Sequence, residues 1–211
     1  MTIKNIIFDF GGVLYRIRYQ NIAEAFAACG VPDFDRIYSK QKQNDIMDQW
    51  EVGLLPVTDF YSYVRSLTDV PLTDAQIAEC WNAILIDFPV EHEQLLARLH
   101  PHYRLFLFSN TNALNYEAFT RQMRQQYGYD IFEKCFEKTY FSQLMHVRKP
   151  NKEGFLRILE ENQLHPEETL FIDDSPQHVE GAKLCGLHTC HLKDGQDVTD
   201  LFDDNGFLKL C

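Results

Sequence analysis

Three short segments of the chain are apolar at nearly every position instead of at every second one. They are residues 3–9, 104–109 and 169–174. Continuous apolar runs of this length indicate strands buried on both faces, as in a parallel sheet that helices cover. Residues 139–142 and 188–192 are weaker strand candidates. We therefore predict a sheet of several parallel strands.

Helical patterns occupy the segments between most of these runs. They cover residues 113–126, 152–161 and 177–184, and Gly186 follows the last as a plausible C-terminal stop. Strands that alternate with helices are typical of α/β folds. The sequence therefore predicts an α/β protein.

The segment between the first two strands breaks this alternation. Residues 16–89 contain no comparable apolar run, and most of the segment has the pattern of amphipathic helices. The predicted helices cover residues 21–29, 57–67 and 74–86, the last after Thr73 as a possible N-cap. We expect residues 1–15 and 90–211 to form the core, and residues 16–89 to form a helical insertion after the first strand.

The charge of the chain limits its partners. It has 20 Lys and Arg residues against 31 Asp and Glu residues, a formal net charge of −11, which disfavours binding to nucleic acid or to an anionic membrane. Residues 1–15 lack the charged lead and long apolar stretch of a signal peptide. No apolar run approaches the roughly 18 residues of a membrane span. We expect a cytoplasmic protein with no nucleic-acid or membrane partner.

Polar residues end each of the three strong strand candidates. Asp9 ends the first, Ser109 and Asn110 the second, and Asp173 and Asp174 the third. In an open parallel sheet the carboxyl ends of the strands form the edge where ligands bind, so these residues should meet in one crevice. Singly, each has an ordinary structural interpretation, such as closing a turn or capping a helix.

The residue types in this set suit phosphoryl transfer. Asp9, Asp173 and Asp174 supply the hard oxygen ligands that Mg²⁺ prefers. Ser109 adds a hydroxyl group, and Lys149 adds a positive charge. Phosphoryl transfer needs the charge that develops on the phosphoryl oxygens to be neutralised and held in place. A carboxylate nucleophile, a metal, a hydroxyl and an ammonium group together meet that need.

The order of these residues resembles the four motifs of the haloacid dehalogenase-like hydrolase superfamily. The matching segments are residues 8–14, 108–111, 148–150 and 171–175. The resemblance covers essentially the whole chain, and the helical insertion occupies the position of that superfamily's cap. It implies a Rossmann-like core with an inserted α-helical cap, and hydrolysis of a small phosphorylated metabolite with Mg²⁺ as cofactor.

The resemblance also implies a metal site. Asp9 would be the nucleophile that becomes an aspartyl-phosphate, and it would also bind the metal. The carbonyl of Gly11 would be a second ligand. Asp174 would bind the metal directly, whereas Asp173 would act through a water molecule or by contacting the residues that bind the metal. The motif leaves open which of the two carboxylates contacts the metal. Substrate contacts are implied for Ser109, Asn110 and Lys149, which would hold the transferring phosphoryl group.

Gly11 departs from the superfamily's usual pattern. Its phosphatases usually have a second Asp at this position as general acid and base, a role worth about 100-fold or more in rate. A branch with Gly here resembles glucose-1-phosphate-type phosphatases, and this chain looks closest to that branch. We expect an easily departing leaving group, or an acid supplied by the cap. Asp45, Asp48 and Glu51 around Trp50 are candidates, with a solvated helix face as the alternative interpretation.

Three functions compete on this reading. The first is a magnesium-dependent phosphatase, with a sugar phosphate as the favoured substrate. The second is a metal-independent 2-haloacid dehalogenase, which the adjacent Asp173 and Asp174 disfavour because a metal-free site gains little from further carboxylates beside its nucleophile. The third is a non-catalytic protein of this fold that binds a phosphorylated ligand or a partner, for which Gly11 is the argument.

Overall fold

The computed structural model describes residues 2–32, 34 and 45–209. Its strands are β1 (Asn5–Phe8), β2 (Arg16–Ile17), β3 (Leu85–Asp87), β4 (Arg104–Ser109), β5 (Lys138–Phe141), β6 (Thr169–Asp173) and β7 (His188–His191). Its α-helices are α1 (Gln20–Ala28), α2 (Asp45–Glu51), α3 (Val57–Arg65), α4 (Asp74–Asn82), α5 (Val90–Leu99), α6 (Ala113–Tyr127), α7 (Ile131–Cys135), α8 (Ser142–Met145), α9 (Lys152–Glu161) and α10 (Pro176–Lys183). Across the described ranges, none of the helices is both long enough and apolar enough to span a bilayer.

A five-stranded sheet forms the centre of the core, in the order β5-β4-β1-β6-β7. Every neighbouring pair is parallel. Alternate residues of β1 pack into different apolar clusters: Ile6 and Phe8 belong to one, and Ile7 belongs to another. Burial of both faces explains why the strand sequences are continuously apolar. The α/β fold with a parallel sheet is confirmed, and all five predicted strands are present.

The helices between these strands also follow the sequence pattern. Helix α9 covers residues 152–161 as predicted, while α6 and α10 differ from their predicted bounds by one residue. Gly186 has a φ of +85°, the left-handed conformation expected of a glycine shortly after a helix end. Local patterning therefore predicts the core elements well.

Helices α1 to α4 share an apolar cluster distinct from the two that cover the sheet. Its centre is aromatic: the rings of Trp50 and Phe60 stack with centroids 4.5 Å apart, and Trp81 contacts Phe60 edge-on at 4.8 Å. The expected N-cap at Thr73 is present, as a capping box with Gln76. The division into a core and a cap at residues 16 and 89 stays a prediction, which this separate cluster supports.

The predicted helix over residues 74–86 is wrong at its C-terminal end. Helix α4 ends at Asn82, and Leu85–Asp87 forms β3, which pairs antiparallel with β2. The insertion is therefore mostly helical but includes the short strands β2 and β3. The guanidinium of Arg16 donates to the carboxylate of Asp87 at 2.6 Å across this ribbon. Such short strands depend on a partner distant in sequence, which local patterning does not reveal.

Candidate active site

One cleft lies at the carboxyl edge of the sheet, where β1, β4 and β6 end. It is open to solvent, and its total volume with the open mouth included is about 900 Å³. Five of the seven predicted site residues line it: Asp9, Gly11, Ser109, Asn110 and Asp174. The other two, Lys149 and Asp173, have fully buried side chains that bond to one another and, through Lys149, to Asp9. The structure therefore brings all seven together.

Asp9 follows directly after the last residue of β1. Its Oδ1 atom accepts hydrogen bonds from the backbone N–H of Phe10 at 2.7 Å and from Nζ of Lys149 at 2.7 Å. Burial and, after it, the nearby carboxylates of Asp173 and Asp174 raise the pKa of Asp9 to about 8, against the opposing effect of Lys149. The chain therefore places a carboxylate where its negative charge lacks compensation.

Lys149 is the buried cation of the site. Its Nζ atom donates to Oδ1 of Asp9 and to Oδ2 of Asp173, each at 2.7 Å. Burial lowers the pKa of this ammonium group, but the two carboxylates outweigh burial and hold the pKa above its ordinary value. The ammonium group therefore stays charged and fixes the relative position of two strand ends.

Asp173 is saturated with donors. Its Oδ1 accepts from the backbone N–H of Ser175 at 2.7 Å, its Oδ2 accepts from Lys149, and Nδ1 of His178 lies 3.0 Å from Oδ1. Burial alone would raise the pKa of Asp173, yet Lys149 and His178 lower it to about 2. Its carboxylate is thus ionised and committed to positioning its neighbours.

Asp174 instead lines the cleft beside Asp9. The loop after β1 runs against its carboxylate, because a Cβ atom on Gly12 would lie 2.5 Å from Oδ2 of Asp174. Gly12 also has a φ of +90°, which a side chain would strain. This glycine therefore allows the loop that carries Gly11 to approach Asp174 closely.

Ser109 and Asn110 occupy the end of β4. The Ser109 side chain is buried at the cleft. The amide of Asn110 bonds the backbone of Lys149 twice: its Nδ2 donates to the Lys149 carbonyl at 3.0 Å, and its Oδ1 accepts from the Lys149 N–H at 2.9 Å. Asn110 therefore ties the loop of Lys149 to β4, a role that the sequence did not indicate.

The donor set fits a divalent cation. Three carboxylates face one ammonium group here, which leaves a formal charge of −2, and all three acids carry the hard oxygen atoms that Mg²⁺ takes as ligands. Burial first, and then the negative charge of Asp173 and Asp174, raises the pKa of Asp9. Potential ligand atoms of Asp9, Asp173 and His178 lie within 4.8 Å of one another. This cluster contains Asp173, whose carboxylate also bonds Lys149 and His178, and Asp174 lies beside it at the cleft.

The insertion contributes one wall of the cleft. The lining residues from this segment are Ile17, Tyr19, Glu51, Ile84 and Leu85. Among the three acids considered as cap donors, Asp45 and Asp48 are exposed, whereas Glu51 is buried and lines the cleft. A solvated helix face therefore describes the first two acids but not Glu51.

Several polar lining residues have no role that the sequence indicated, among them Tyr19, Arg148 and His178. Arg148 directly precedes Lys149 in the third motif, so its position in the sequence already indicated that it lies near the site. His178 lies in the first turn of α10, five residues after Asp173, and that turn follows the strand end directly. Tyr19 had no such signal, because it enters the cleft from the insertion.

The chain resembles characterised phosphatases over nearly its whole length. It is 28% identical to a D-ribitol-5-phosphate phosphatase from Bacteroides thetaiotaomicron, over 92% of this chain and 94% of the relative. It is 25% identical to a sesquiterpene phosphatase from Aspergillus oryzae, over 92% of this chain and 91% of the relative. The two relatives are thus both phosphatases, and their names give different substrates.

A solved structure matches both fold and size. It is the crystal structure of a HAD family enzyme from Bacteroides thetaiotaomicron in complex with magnesium and inorganic phosphate. It is 33% identical to this chain, with a TM-score of 0.85, and the match covers 95% of this chain and 100% of that one. A family model described as haloacid dehalogenase-like hydrolase matches residues 3–186. The chain therefore belongs to the haloacid dehalogenase-like hydrolases.

Proposed function

We propose that the protein is a magnesium-dependent phosphatase that hydrolyses a small phosphorylated metabolite, most consistently a sugar or polyol phosphate. The observation that carries this proposal is the convergence of Asp9, Asp174 and Ser109 at one cleft, with the ammonium group of Lys149 bonded to Asp9. The similarity to a D-ribitol-5-phosphate phosphatase, and to a family member crystallised with magnesium and phosphate, supports it.

In the first step, the carboxylate of Asp9 attacks phosphorus. A bond forms between an Asp9 oxygen and phosphorus while the bond from phosphorus to the leaving oxygen breaks, and that oxygen takes a proton from a water in the cleft. Lys149 fixes Oδ1 of Asp9, so Oδ2 is the oxygen that would attack. The hydroxide that this water leaves then attacks the phosphorus of the aspartyl-phosphate. A new P–O bond forms while the bond from phosphorus to the Asp9 oxygen breaks, which releases hydrogen phosphate and restores the carboxylate.

The metal would be held by Asp9, Asp174 and the carbonyl of Gly11. Asp173 would act through a water molecule or by positioning its neighbours. When bound, Mg²⁺ would supply positive charge for the phosphoryl oxygens and would favour the ionised form of Asp9. Ser109 and the backbone of Asn110 would hold the phosphoryl group. Lys149, bonded to Asp9 and Asp173, would neutralise part of the negative charge of the carboxylates.

Phosphate release tests this proposal. The purified protein is assayed on D-ribitol 5-phosphate, glucose 1-phosphate, acetyl phosphate and a nucleoside monophosphate, with magnesium and with a chelator. We expect release from at least one sugar or polyol phosphate that stops with chelator and returns with excess magnesium. Chelator-resistant release of halide from 2-chloropropionate, or no phosphate release from any compound, would overturn it.

A further inference from the structure

Helix α2 is fastened to the core at its C-terminal end. The hydroxyl of Ser142 lies 2.6 Å from the carbonyl oxygen of Glu51 and donates to it. Nδ1 of His146 lies 2.9 Å from the carbonyl oxygen of Val52. The next residue, Gly53, has a φ of +69°, and a Cβ atom there would lie 2.3 Å from the carbonyl oxygen of Gln143. The last turn of α2 is therefore held at a fixed place beside the cleft.

Arg148 joins this helix to the third motif. Its guanidinium contacts two acids that lie one turn apart on α2, Asp48 and Glu51, and its Nη2 is 3.2 Å from Oε2 of Glu51. The two acids differ in environment, because the Asp48 side chain is 54% exposed and the Glu51 side chain is 7% exposed. Glu51 and Arg148 both line the cleft, whereas Asp48 is not among its lining residues.

A carboxylate at this place needs a reason, since it adds negative charge to a cleft that would receive a phosphate ester. A buried carboxylate is also unfavourable unless it is paired and hydrogen-bonded. The guanidinium of Arg148 supplies the ion-pair partner, with its Nη2 atom 3.2 Å from Oε2 of Glu51.

The pair offers both kinds of hydrogen bond that a hydroxyl group needs. The carboxylate accepts from hydroxyl hydrogens, and the guanidinium donates to hydroxyl oxygens. The phenol of Tyr19 stands nearby: after burial, Glu51 is the strongest influence that raises its pKa, so it remains a neutral hydroxyl. Ile17, Ile84 and Leu85 line the same side and suit the carbon chain of a substrate.

We infer that Glu51 and Arg148 bind hydroxyl groups of the leaving group, and thereby select polyol or sugar phosphates over phosphates of unsubstituted alcohols. This inference rests on the proposed phosphatase function and assigns the selectivity to two named side chains. Glu51 is then a specificity-determining residue. Asp48 contacts the same guanidinium from the solvent side and does not line the cleft.

The test compares two substrates with the same reacting group. D-ribitol 5-phosphate and n-pentyl phosphate are both primary alkyl phosphates with five carbons, so their leaving groups differ mainly in hydroxyl groups. We expect the wild-type protein to have at least about a tenfold higher kcat/KM for the ribitol ester, the least effect of one charged hydrogen bond. A ratio near one would overturn the inference while leaving the phosphatase proposal intact.

Variants then locate the selectivity. Glu51→Leu should lower the ratio of the two kcat/KM values by about 10- to 100-fold, and Glu51→Gln, which still accepts a hydrogen bond, should restore part of it. Asp48→Leu is the matched control, since it removes the other acid from Arg148 without reaching the cleft, and it should leave the ratio unchanged.

Three results would contradict the inference in different ways. Equal losses on both substrates in Glu51→Gln would mean that Glu51 acts on the reaction step or on the fold, and not on hydroxyl groups. An equal fall of the ratio in Asp48→Leu would assign selectivity to the docking of α2 instead. Failure of the wild-type protein to release phosphate from either ester would overturn the proposed function and this inference together.

Discussion

The Nζ atom of Lys149 lies 2.7 Å from Oδ1 of Asp9, and the lysine side chain is completely buried. The same amine reaches Asp173 at an equal distance, so one cation joins the ends of β1 and β6. Removal of one partner from a buried ion pair leaves an uncompensated charge, which typically lowers stability by 3–5 kcal/mol. Structure and chemistry at this site therefore depend on the same side chain.

Lys149→Met should affect both properties. We expect the free energy of unfolding to fall by about 3 kcal/mol, and phosphate release to fall by about 100-fold or more because a fixed positive charge is lost from the site. Urea unfolding and steady-state kinetics measure the two effects. The control is Lys152→Met, an exposed lysine at the start of α9. Equal behaviour of the two variants would refute the structural role assigned to Lys149.

The raised pKa of Asp9 predicts how the stability of the metal-free protein depends on pH. Because burial and the neighbouring carboxylates raise this pKa to about 8 from 3.8, the folded protein retains a proton over a pH range in which the unfolded chain has lost it. The group therefore favours folding fully below its unfolded pKa, and this contribution disappears as the pH rises through the folded pKa.

Asp9→Asn removes this titration. In the presence of chelator, the wild-type protein should lose stability between about pH 5 and about pH 8, whereas the variant should not lose this contribution. The difference in Tm, variant minus wild type, should therefore increase over this range, by about 2–4 °C for each kcal/mol of unfolding free energy that the wild-type protein loses. Thermal unfolding followed by circular dichroism measures it. Added magnesium should reduce the pH dependence of the wild-type protein. A constant difference in Tm across this pH range would show that Asp9 does not titrate as inferred.

Gly11 cannot supply a general acid, and we predict that an acidic side chain at this position would increase the rate. A Cβ atom at this position would lie 3.2 Å from Cδ1 of Ile17, a contact that a small movement of the isoleucine side chain relieves. We expect Gly11→Asp to raise turnover of an alkyl phosphate by about 10- to 100-fold, because the new carboxyl group can protonate the leaving oxygen. Turnover of p-nitrophenyl phosphate should change little, since nitrophenolate leaves without a proton.

Gly11→Asn provides the matched control for shape. It has nearly the same size as aspartate but cannot act as an acid, so it should not raise turnover of the alkyl ester. If both variants changed the two substrates by the same factor, the missing proton donor would not be what limits the rate.

Gly53 predicts how closely the insertion must dock on the core. A Cβ atom there meets the backbone of Gln143 at 2.3 Å, and Gly53 has a φ of +69°. At Gly128 the φ is +75°, but no described atom beyond its own helix and chain neighbours lies within 4 Å of such a Cβ. The two glycines thus share a left-handed backbone conformation, but only at Gly53 would a Cβ atom clash with a neighbouring backbone.

Gly128→Ala should lower the free energy of unfolding by about 1–2 kcal/mol, the penalty for a side chain in the left-handed region. Gly53→Ala should lower it further and should also reduce kcat/KM, because α2 and Glu51 would shift. Urea unfolding with parallel kinetics separates the two effects. Equal stability losses and equal activity in the two variants would contradict close docking of α2.

The strand-end residues could be predicted from the sequence for a local reason. Asp9, Ser109 and Asp173 each end a continuously apolar run, and parallel strands bring their carboxyl ends to one edge of the sheet. The pattern along each strand thus implied a shared position in space. Nothing local indicated that Asn110 bonds the backbone of Lys149, since that contact joins segments 39 residues apart.

The sequence pattern did not indicate which residues of the insertion line the cleft. Glu51 and Asp48 lie on one short helix and are alike in sequence, yet only Glu51 is buried at the cleft. The difference comes from the docking of α2 on Ser142 and Arg148, which belong to distant parts of the chain. Strand β3 was missed for a related reason, because its partner β2 lies about 70 residues away.

The central claim is that Asp9 is the nucleophile, and phosphate release by Asp9→Asn tests it most directly. The variant is compared with the wild-type protein at saturating magnesium, on whichever ester the wild-type protein hydrolyses best, after thermal unfolding has verified that it is folded. An amide is a poor nucleophile, so we predict a fall in kcat of more than about 1,000-fold. A folded Asp9→Asn protein that releases phosphate at a rate near that of the wild type would contradict the account.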